Sequence, residues 1–179
     1  ALYCLNNGVN IVIGTTGLSD EEIDELKNLA QKTGLGCLIA PNFSTGAVLM
    51  MKFAQMASKY FDNAEIIELH HNQKKDAPSG TALAFADSIN EAADNQYHYV
   101  YDRSQVRQKR DGKEIGISAV RGGTIVGDHE VLFAGQDEVI EFKHTAYSKA
   151  VFGKGAVEAA KFLAGKPAGR YDMSDVIQF

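Results

Sequence analysis

The stretch Val9-Asn10-Ile11-Val12-Ile13-Gly14-Thr15-Thr16-Gly17, followed by Ser19-Asp20-Glu21-Glu22 and then by Cys37-Leu38-Ile39-Ala40, decides the fold class. Residues 9–13 form a short apolar run left by a glycine-bounded turn, the pattern of a strand buried in a parallel sheet. Ser19 and Glu22 have the spacing of a capping box, so a helix is expected from about residue 20 to 32, with Gly34 at its end. Residues 37–40 read as the next strand. This β-loop-α-β order belongs to a doubly wound sheet, whose ligands collect at the carboxyl ends of the strands. The segments 14–17 and 40–43 both fall at such ends. Upstream, Ala1-Leu2-Tyr3-Cys4-Leu5-Asn6-Asn7-Gly8 reads as the last turns of a helix stopped by a glycine, and without a Met before it the start looks internal to a fold.

Residues 45–61 read as an apolar helix in which Met50, Met51, Phe53, Ala54, Met56 and Ala57 crowd together, a pattern best explained by core packing. Residues 64–69 are short and rich in β-branched side chains, hence a strand, and 81–93 form an Ala-rich helix. From residue 115 the pattern turns antiparallel. Strands over 115–120, 124–133 and 139–145, separated by glycine turns, predict a meander, with Val120, Ile125, Val131 and Phe133 supplying apolar surface for a subunit contact. A last helix over about 149–164 carries Phe152, Ala156, Ala159, Ala160 and Leu163 on one face and stops at Gly165.

With 179 residues, 45% hydrophobic and 23% charged, the chain can bury one good core or two small ones. The net charge of -5 argues against nucleic acid as a partner, which would need a surplus of Lys and Arg on one surface. The one basic stretch, 103–113, is interrupted by acids and reads as a solvated loop or subunit contact rather than a ligand site. Cys4 and Cys37 lack metal or redox spacing and read as buried free thiols of a reducing compartment. No apolar run approaches a membrane span, so a cytoplasmic location and no membrane partner are expected.

The chemistry concentrates in His70-His71-Asn72-Gln73-Lys74-Lys75-Asp76-Ala77-Pro78-Ser79-Gly80-Thr81-Ala82. A strand delivers two histidines to its end, where their side chains point to opposite faces and so serve different tasks. Ser79 caps the following helix, whose first backbone N–H groups attract a carboxylate or phosphate, and Lys74 adds a full charge. The segment suits a small dianion. Asp76 reads as closing the turn or orienting Lys74, and the Arg121 guanidinium as reaching a carboxylate or a subunit interface. The histidines at 98, 129 and 144 have no metal-site spacing, and no metal is assigned.

This segment resembles the signature of the dihydrodipicolinate reductase family, H-H-x-x-K-x-D-A-P-S-G-T-A, at every fixed position. The block Arg121-Gly122-Gly123-Thr124-Ile125-Val126-Gly127-Asp128-His129-Glu130 is similar as well, as are Phe133-Ala134-Gly135, His144-Thr145-Ala146-Tyr147-Ser148, and Gly14-Thr15-Thr16-Gly17 with Ala40-Pro41-Asn42-Phe43-Ser44. The resemblance implies an α/β fold: a partial doubly wound dinucleotide-binding domain over 1–43 and 148–179, plus an α+β substrate domain over 44–147 with a mixed, largely antiparallel sheet. It also implies an upstream strand, glycine-rich turn and helix that these residues do not include, and four subunits meeting through their sheets as a homotetramer.

By the same resemblance, His70 is the general acid and Lys74 the second proton donor. His71, Ser79, Gly80 and Thr81 bind the substrate carboxylates, and Gly14, Thr15, Thr16, Ala40, Pro41, Asn42 and Phe43 line the cofactor. The implied reaction is reduction of a cyclic dicarboxylate, 4-hydroxy-tetrahydrodipicolinate, to tetrahydrodipicolinate by NADH or NADPH, in lysine and diaminopimelate synthesis. Hydride would attack the conjugated system, and His70 and Lys74 would quench the charge that develops. The alternative is a non-catalytic fragment that binds a dicarboxylate and oligomerises without a complete cofactor site. A hydrolase using Ser79 is disfavoured, because Pro78-Ser79-Gly80 is not G-x-S-x-G.

Overall fold

The computed structural model describes residues 1–177, so the expected domain segment 148–179 runs at 178–179 outside the described residues. In chain order the elements are α1 (Leu2–Asn6), β1 (Ile11–Ile13), α2 (Asp20–Thr33), β2 (Gly36–Ile39), α3 (Thr45–Ala57), β3 (Asn63–His70), α4 (Gly80–Ala92), β4 (His98–Val100), β5 (Glu114–Arg121), β6 (Gly127–Ala134), β7 (Val139–Ala146), α5 (Ala150–Leu163), β8 (Gly169–Tyr171) and α6 (Met173–Val176). They form two compact units, residues 1–48 with those from 150 onward, and residues 49–149.

In the first unit, β1, β2 and β8 make a parallel sheet in the order β1-β2-β8. Alternation along the strands splits the core in two. Cys37 pairs in one cluster with Ile11, Leu26 and Ala30, whereas Leu38 and Ala40 join Phe43, Ala159 and Leu163 on the other face. Helices on both faces are what makes these strands continuously apolar. The capping box forms as expected, with Glu22 N–H to Ser19 Oγ at 3.2 Å and Ser19 N–H to Glu22 Oε2 at 2.8 Å. Gly34 ends α2 at φ 75°, and Leu35 N–H returns to the Ala30 carbonyl. The first strand starts later than residue 9, since the Val9 N–H is taken by the Cys4 carbonyl at 3.0 Å at the end of α1; the Asn10 side chain accepts from the Gly36 N–H at 2.8 Å. Cys4 is half-buried rather than buried; both cysteines are free thiols.

The buried face of α5 differs from expectation: Gly155 takes part and Ala160 is exposed. The cause is backbone proximity, since a Cβ at Gly155 would lie 1.8 Å from the Phe43 carbonyl oxygen. No side-chain rotation relieves a clash with main chain. Gly155→Ala is expected to lower stability by about 1–3 kcal/mol or more, read as the midpoint of urea unfolding. An unchanged midpoint would mean that α5 sits farther from residue 43 than described.

In the second unit, five strands lie in the order β4-β5-β3-β6-β7. The sheet is mixed, as expected, but its ladders divide evenly: β4–β5 and β5–β3 are parallel, β3–β6 and β6–β7 antiparallel. The expected meander is therefore corrected. Only β6 and β7 form a hairpin, because β3 inserts between β5 and β6. The glycine-rich connection over 122–126 crosses the end of β3 instead of folding back, with Gly122 N–H bonded to the His70 carbonyl at 2.9 Å and Asn72 N–H to that of Gly123 at 3.3 Å.

Ile66, Ile117, Val131 and Phe133 are buried with Phe85 and Ile89. Val131 and Phe133 are fully covered, so they cannot furnish the subunit surface expected of them; Val120, in the opposite strand phase, is 44% exposed. The methionine-rich helix is likewise only half core. Met50 and Ala54 are buried while Met56 is 63% exposed, since α3 presents one face inward and stops at residue 57, where Tyr60 N–H bonds the Ala57 carbonyl in a tightened turn. Within the basic stretch, Arg103 and Arg110 pair with Glu65 of β3 and Glu114 of β5 and pin the loop to the sheet. Among the described residues no helix is long and apolar enough to cross a membrane.

Candidate active site

Strand β3 alternates in burial along its length, so Ala64, Ile66, Glu68 and His70 share one covered face. His71, one residue on, leaves that face and is half-buried. Register supplies the rest of the site. Arg121 of β5 stands opposite His70, and His129 of β6 stands opposite Glu68.

Glu68 is completely buried, yet both its oxygens are saturated. Oε2 faces His70 Nδ1 at 2.5 Å and accepts from Arg121 Nη1 at 2.8 Å; Oε1 accepts from Arg121 Nη2 at 2.7 Å and from the Ser79 N–H at 3.0 Å. Burial pushes this carboxyl up, but the hydrogen bonds from Arg121 and His70 outweigh it and hold it below the usual glutamate value. It is therefore an anion. Since an ionised carboxylate offers no proton, His70 must carry hydrogen on Nδ1 and direct Nε2 away from Glu68.

The His70 imidazole is 11% exposed. Burial is the main influence lowering its pKa; Glu68 opposes this, and the charges of Lys74 and Arg121 add to it. His129 packs edge-on against it, ring centres 5.2 Å apart. Burial above all, with the nearby His70, drives His129 down to about 3, so it stays neutral. Its Nε2 lies 3.1 Å from Ser79 Oγ, within hydrogen-bond distance.

The signature loop then turns into α4. Lys74 Nζ bonds both oxygens of Asp76, at 2.9 and 2.8 Å, which gives Asp76 the orienting part expected of it. Ser79 caps α4 through Ala82 N–H at 3.1 Å. The residue is 2% exposed, and its hydroxyl accepts from Ala82 N–H and shares a hydrogen bond with His129. Gly80 and Thr81, both half-buried, form the first turn of α4. Arg121 reaches a carboxylate as expected, but that of Glu68 in its own chain; it also bonds the Asp76 carbonyl at 2.7 Å, and its buried Nε makes no hydrogen bond.

In the first unit, segments 14–16 and 40–43 meet at the carboxyl ends of β1 and β2, joined by Ala40 N–H to the Ile13 carbonyl at 3.1 Å. A Cβ at Gly14 would stand 2.8 Å from the Phe43 ring, so the glycine lets that ring close under the loop. Gly14, Thr15, Thr16 and Pro41 are exposed there, whereas Ala40, Asn42 and Phe43 are buried and form the wall behind them. Among the described residues no group of three or more His, Cys, Asp or Glu could hold a metal.

Glu68 and His129 were missed by sequence reading. The signal for Glu68 was its phase: a lone acid at the buried position of an alternating strand, two residues before His70. His129 comes into place only through strand register, which no local pattern reveals.

Two family profiles match the chain: dihydrodipicolinate reductase, N-terminus, over residues 1–43, and dihydrodipicolinate reductase, C-terminus, over residues 46–177. The chain is 48% identical over 172 residues to the 4-hydroxy-tetrahydrodipicolinate reductase of Methanosarcina mazei, covering 95% of this chain and 64% of the relative. It is 45% identical to that of Caldanaerobacter subterraneus, covering 95% and 68%. Among solved structures, the dipicolinate-bound dihydrodipicolinate reductase from Paenisporosarcina sp. TG-14 superposes with a TM-score of 0.76 at 36% identity, over 97% of this chain and 66% of that one. The chain thus spans about two thirds of the length of the curated relatives it matches.

Proposed function

Given that this chain belongs to the dihydrodipicolinate reductase family, we propose that it serves the reduction of 4-hydroxy-tetrahydrodipicolinate to tetrahydrodipicolinate in lysine and diaminopimelate synthesis, with NADH or NADPH as reductant. The observation that carries this reading is a proton-bearing His70 held by a buried carboxylate beside Lys74 and the start of α4.

A dianion suits that arrangement. The N–H groups of Gly80 and Thr81 at the helix start hold one carboxylate, and His71 takes the other. Lys74 turns part of its charge from Asp76 to the ligand. The incoming negative charge raises the pKa of His70, so the imidazole gains a second proton at Nε2 and gives it up to the substrate carbon that becomes basic during reduction. The reductant supplies hydride when bound. Gly14, Thr15, Thr16 and Pro41 would hold it, their position at the carboxyl ends of parallel strands being where such sheets take nucleotides. A homotetramer goes with this reading, supported by the sheet face that presents Val120 together with the half-buried Ile67, Leu69 and Leu132. So does a cytoplasmic location.

Calorimetric titration with pyridine-2,6-dicarboxylate, a planar mimic of the substrate, tests the proposal. Binding is expected, and a reduced nucleotide should tighten it about tenfold, a coupling of about 1.4 kcal/mol. Binding indifferent to nucleotide would favour a non-catalytic dicarboxylate-binding fragment; no binding would overturn the assignment of the 70–82 segment.

A further inference from the structure

We propose that Glu68 is the positioning residue of His70, fixing the imidazole in the tautomer with hydrogen on Nδ1 and so making Nε2 the atom through which the substrate proton passes. This rests on the reductase reading for its consequence in catalysis, but not for its geometry. Glu68 never meets substrate: it is wholly buried and its two oxygens receive four donors, from Arg121 twice, from Ser79 and from His70. A carboxylate so supplied cannot rotate toward another task.

The opposite edge of the imidazole is equally defined. A Cβ at Gly127 would lie 3.1 Å from His70 Nε2, so the absent side chain leaves this nitrogen unobstructed by β6. The charged and titratable groups facing the ring are Glu68 from β3, Arg121 from β5, Lys74 from the signature loop and His129 from β6, with His144 of β7 beside His129 in register. Helix α4 contributes the Phe85 ring, which packs on His129, and no charge. Arg121 offsets the Glu68 charge, so His70 is oriented without being fixed as a cation.

The proton balance follows. The resting ring is neutral with Nδ1–H donated to Glu68. A solvent proton adds at the Nε2 lone pair once the dianion is bound, forming the imidazolium. That same proton leaves Nε2 for the substrate carbon, and the lone pair returns to the ring. Nδ1–H persists throughout, because the partner at that nitrogen, Glu68 Oε2, is an acceptor.

Glu68→Gln discriminates sharply. An amide NH₂ in place of Oε1 would confront two donors, Ser79 N–H and Arg121 Nη2. In place of Oε2 it confronts one fixed donor, Arg121 Nη1, and His70, which can respond by giving up its Nδ1 proton. The lower-cost solution turns His70 into the Nε2–H tautomer. Ring ¹⁵N shifts of His70 are therefore expected to report Nδ1–H in the unmodified protein and in Glu68→Asp, and Nε2–H in Glu68→Gln. Turnover of Glu68→Gln should fall by about 10²-fold or more with KM little changed, and Glu68→Asp should recover much of it. A purely structural Glu68 would alter thermal stability and leave the tautomer alone. Nε2–H in the unmodified protein, or an unchanged tautomer in Glu68→Gln, would overturn the proposal. If pyridine-2,6-dicarboxylate fails to bind the unmodified protein, the reductase reading falls, whereas the ring shifts still decide what Glu68 does to His70. If Glu68→Gln does not fold, the ring shifts of the unmodified protein and of Glu68→Asp decide between the two tautomers.

Discussion

Replacing His70 by glutamine is expected to lower turnover of the active reductase by about 10²- to 10⁴-fold while leaving KM nearly unchanged. Glutamine is close to histidine in size, and its amide N–H can still reach Glu68, so the packing around His129 and Ser79 survives. What disappears is a nitrogen able to gain and lose a proton near neutral pH. Because Gly80, Thr81 and His71, the residues proposed to hold the dianion, are untouched, ground-state binding is expected to persist and the loss to fall on the chemical step. Steady-state rates followed by nicotinamide absorbance test this. The pH profile adds a second criterion: the limb reporting protonation of His70 should vanish in the variant. Equal turnover in both proteins would remove His70 from the mechanism.

The largest loss of stability is expected from Arg121→Leu. Leucine fills part of the space but leaves the fully buried Glu68 without its two guanidinium hydrogen bonds, at 2.7 and 2.8 Å. Breaking a buried pair from one side costs about 3–5 kcal/mol, more than deleting both partners would, since the remaining charge has lost its compensation. The pH dependence fixes the cause. In the unmodified protein the Glu68 carboxyl lies below the usual value, so its contribution is present above the unfolded-state pKa and is lost as pH falls through the folded one. In Arg121→Leu burial prevails and the carboxyl rises above the usual value, so the variant gains relative stability as acid neutralises it. The deficit is greatest at neutral pH and narrows toward pH 4. Urea unfolding across that range checks it; a deficit independent of pH would assign the loss to packing alone.

How much of this was legible in the chain depends on how local each signal is. Ser19 with Glu22, Gly34, Gly165 and the cap at Ser79 announce helix ends by chemistry confined to a few residues, and all appear as read. Three-residue β1 and four-residue β2 were legible as continuous apolar runs, whereas β4 and β8 lack such a run and are defined by pairing with β5 and β2. The same distinction governs the site. His70, Lys74, Gly80 and Thr81 lie within one stretch, 70–81, whereas Glu68, Arg121 and His129 become neighbours only when three strands align. For Ser79 the sequence shows a capping hydroxyl but not the histidine fifty positions away that shares a hydrogen bond with it.

The insertion of β3 between β5 and β6 also bears on how the second unit is assembled. Strands β5 and β6 are separated by only the short segment 122–126, so their mutual pairing is the contact that sacrifices least chain entropy, and the native order forbids it. The central strand instead recruits partners distant in the chain, joining His70 to Arg121 and Leu69 to Asp128. The ladders at the centre of this unit are thereby non-local, the kind of pairing whose loop-closure entropy slows folding. Glu68, Arg121 and His129, one from each of β3, β5 and β6, are brought together only once those long-range ladders have formed.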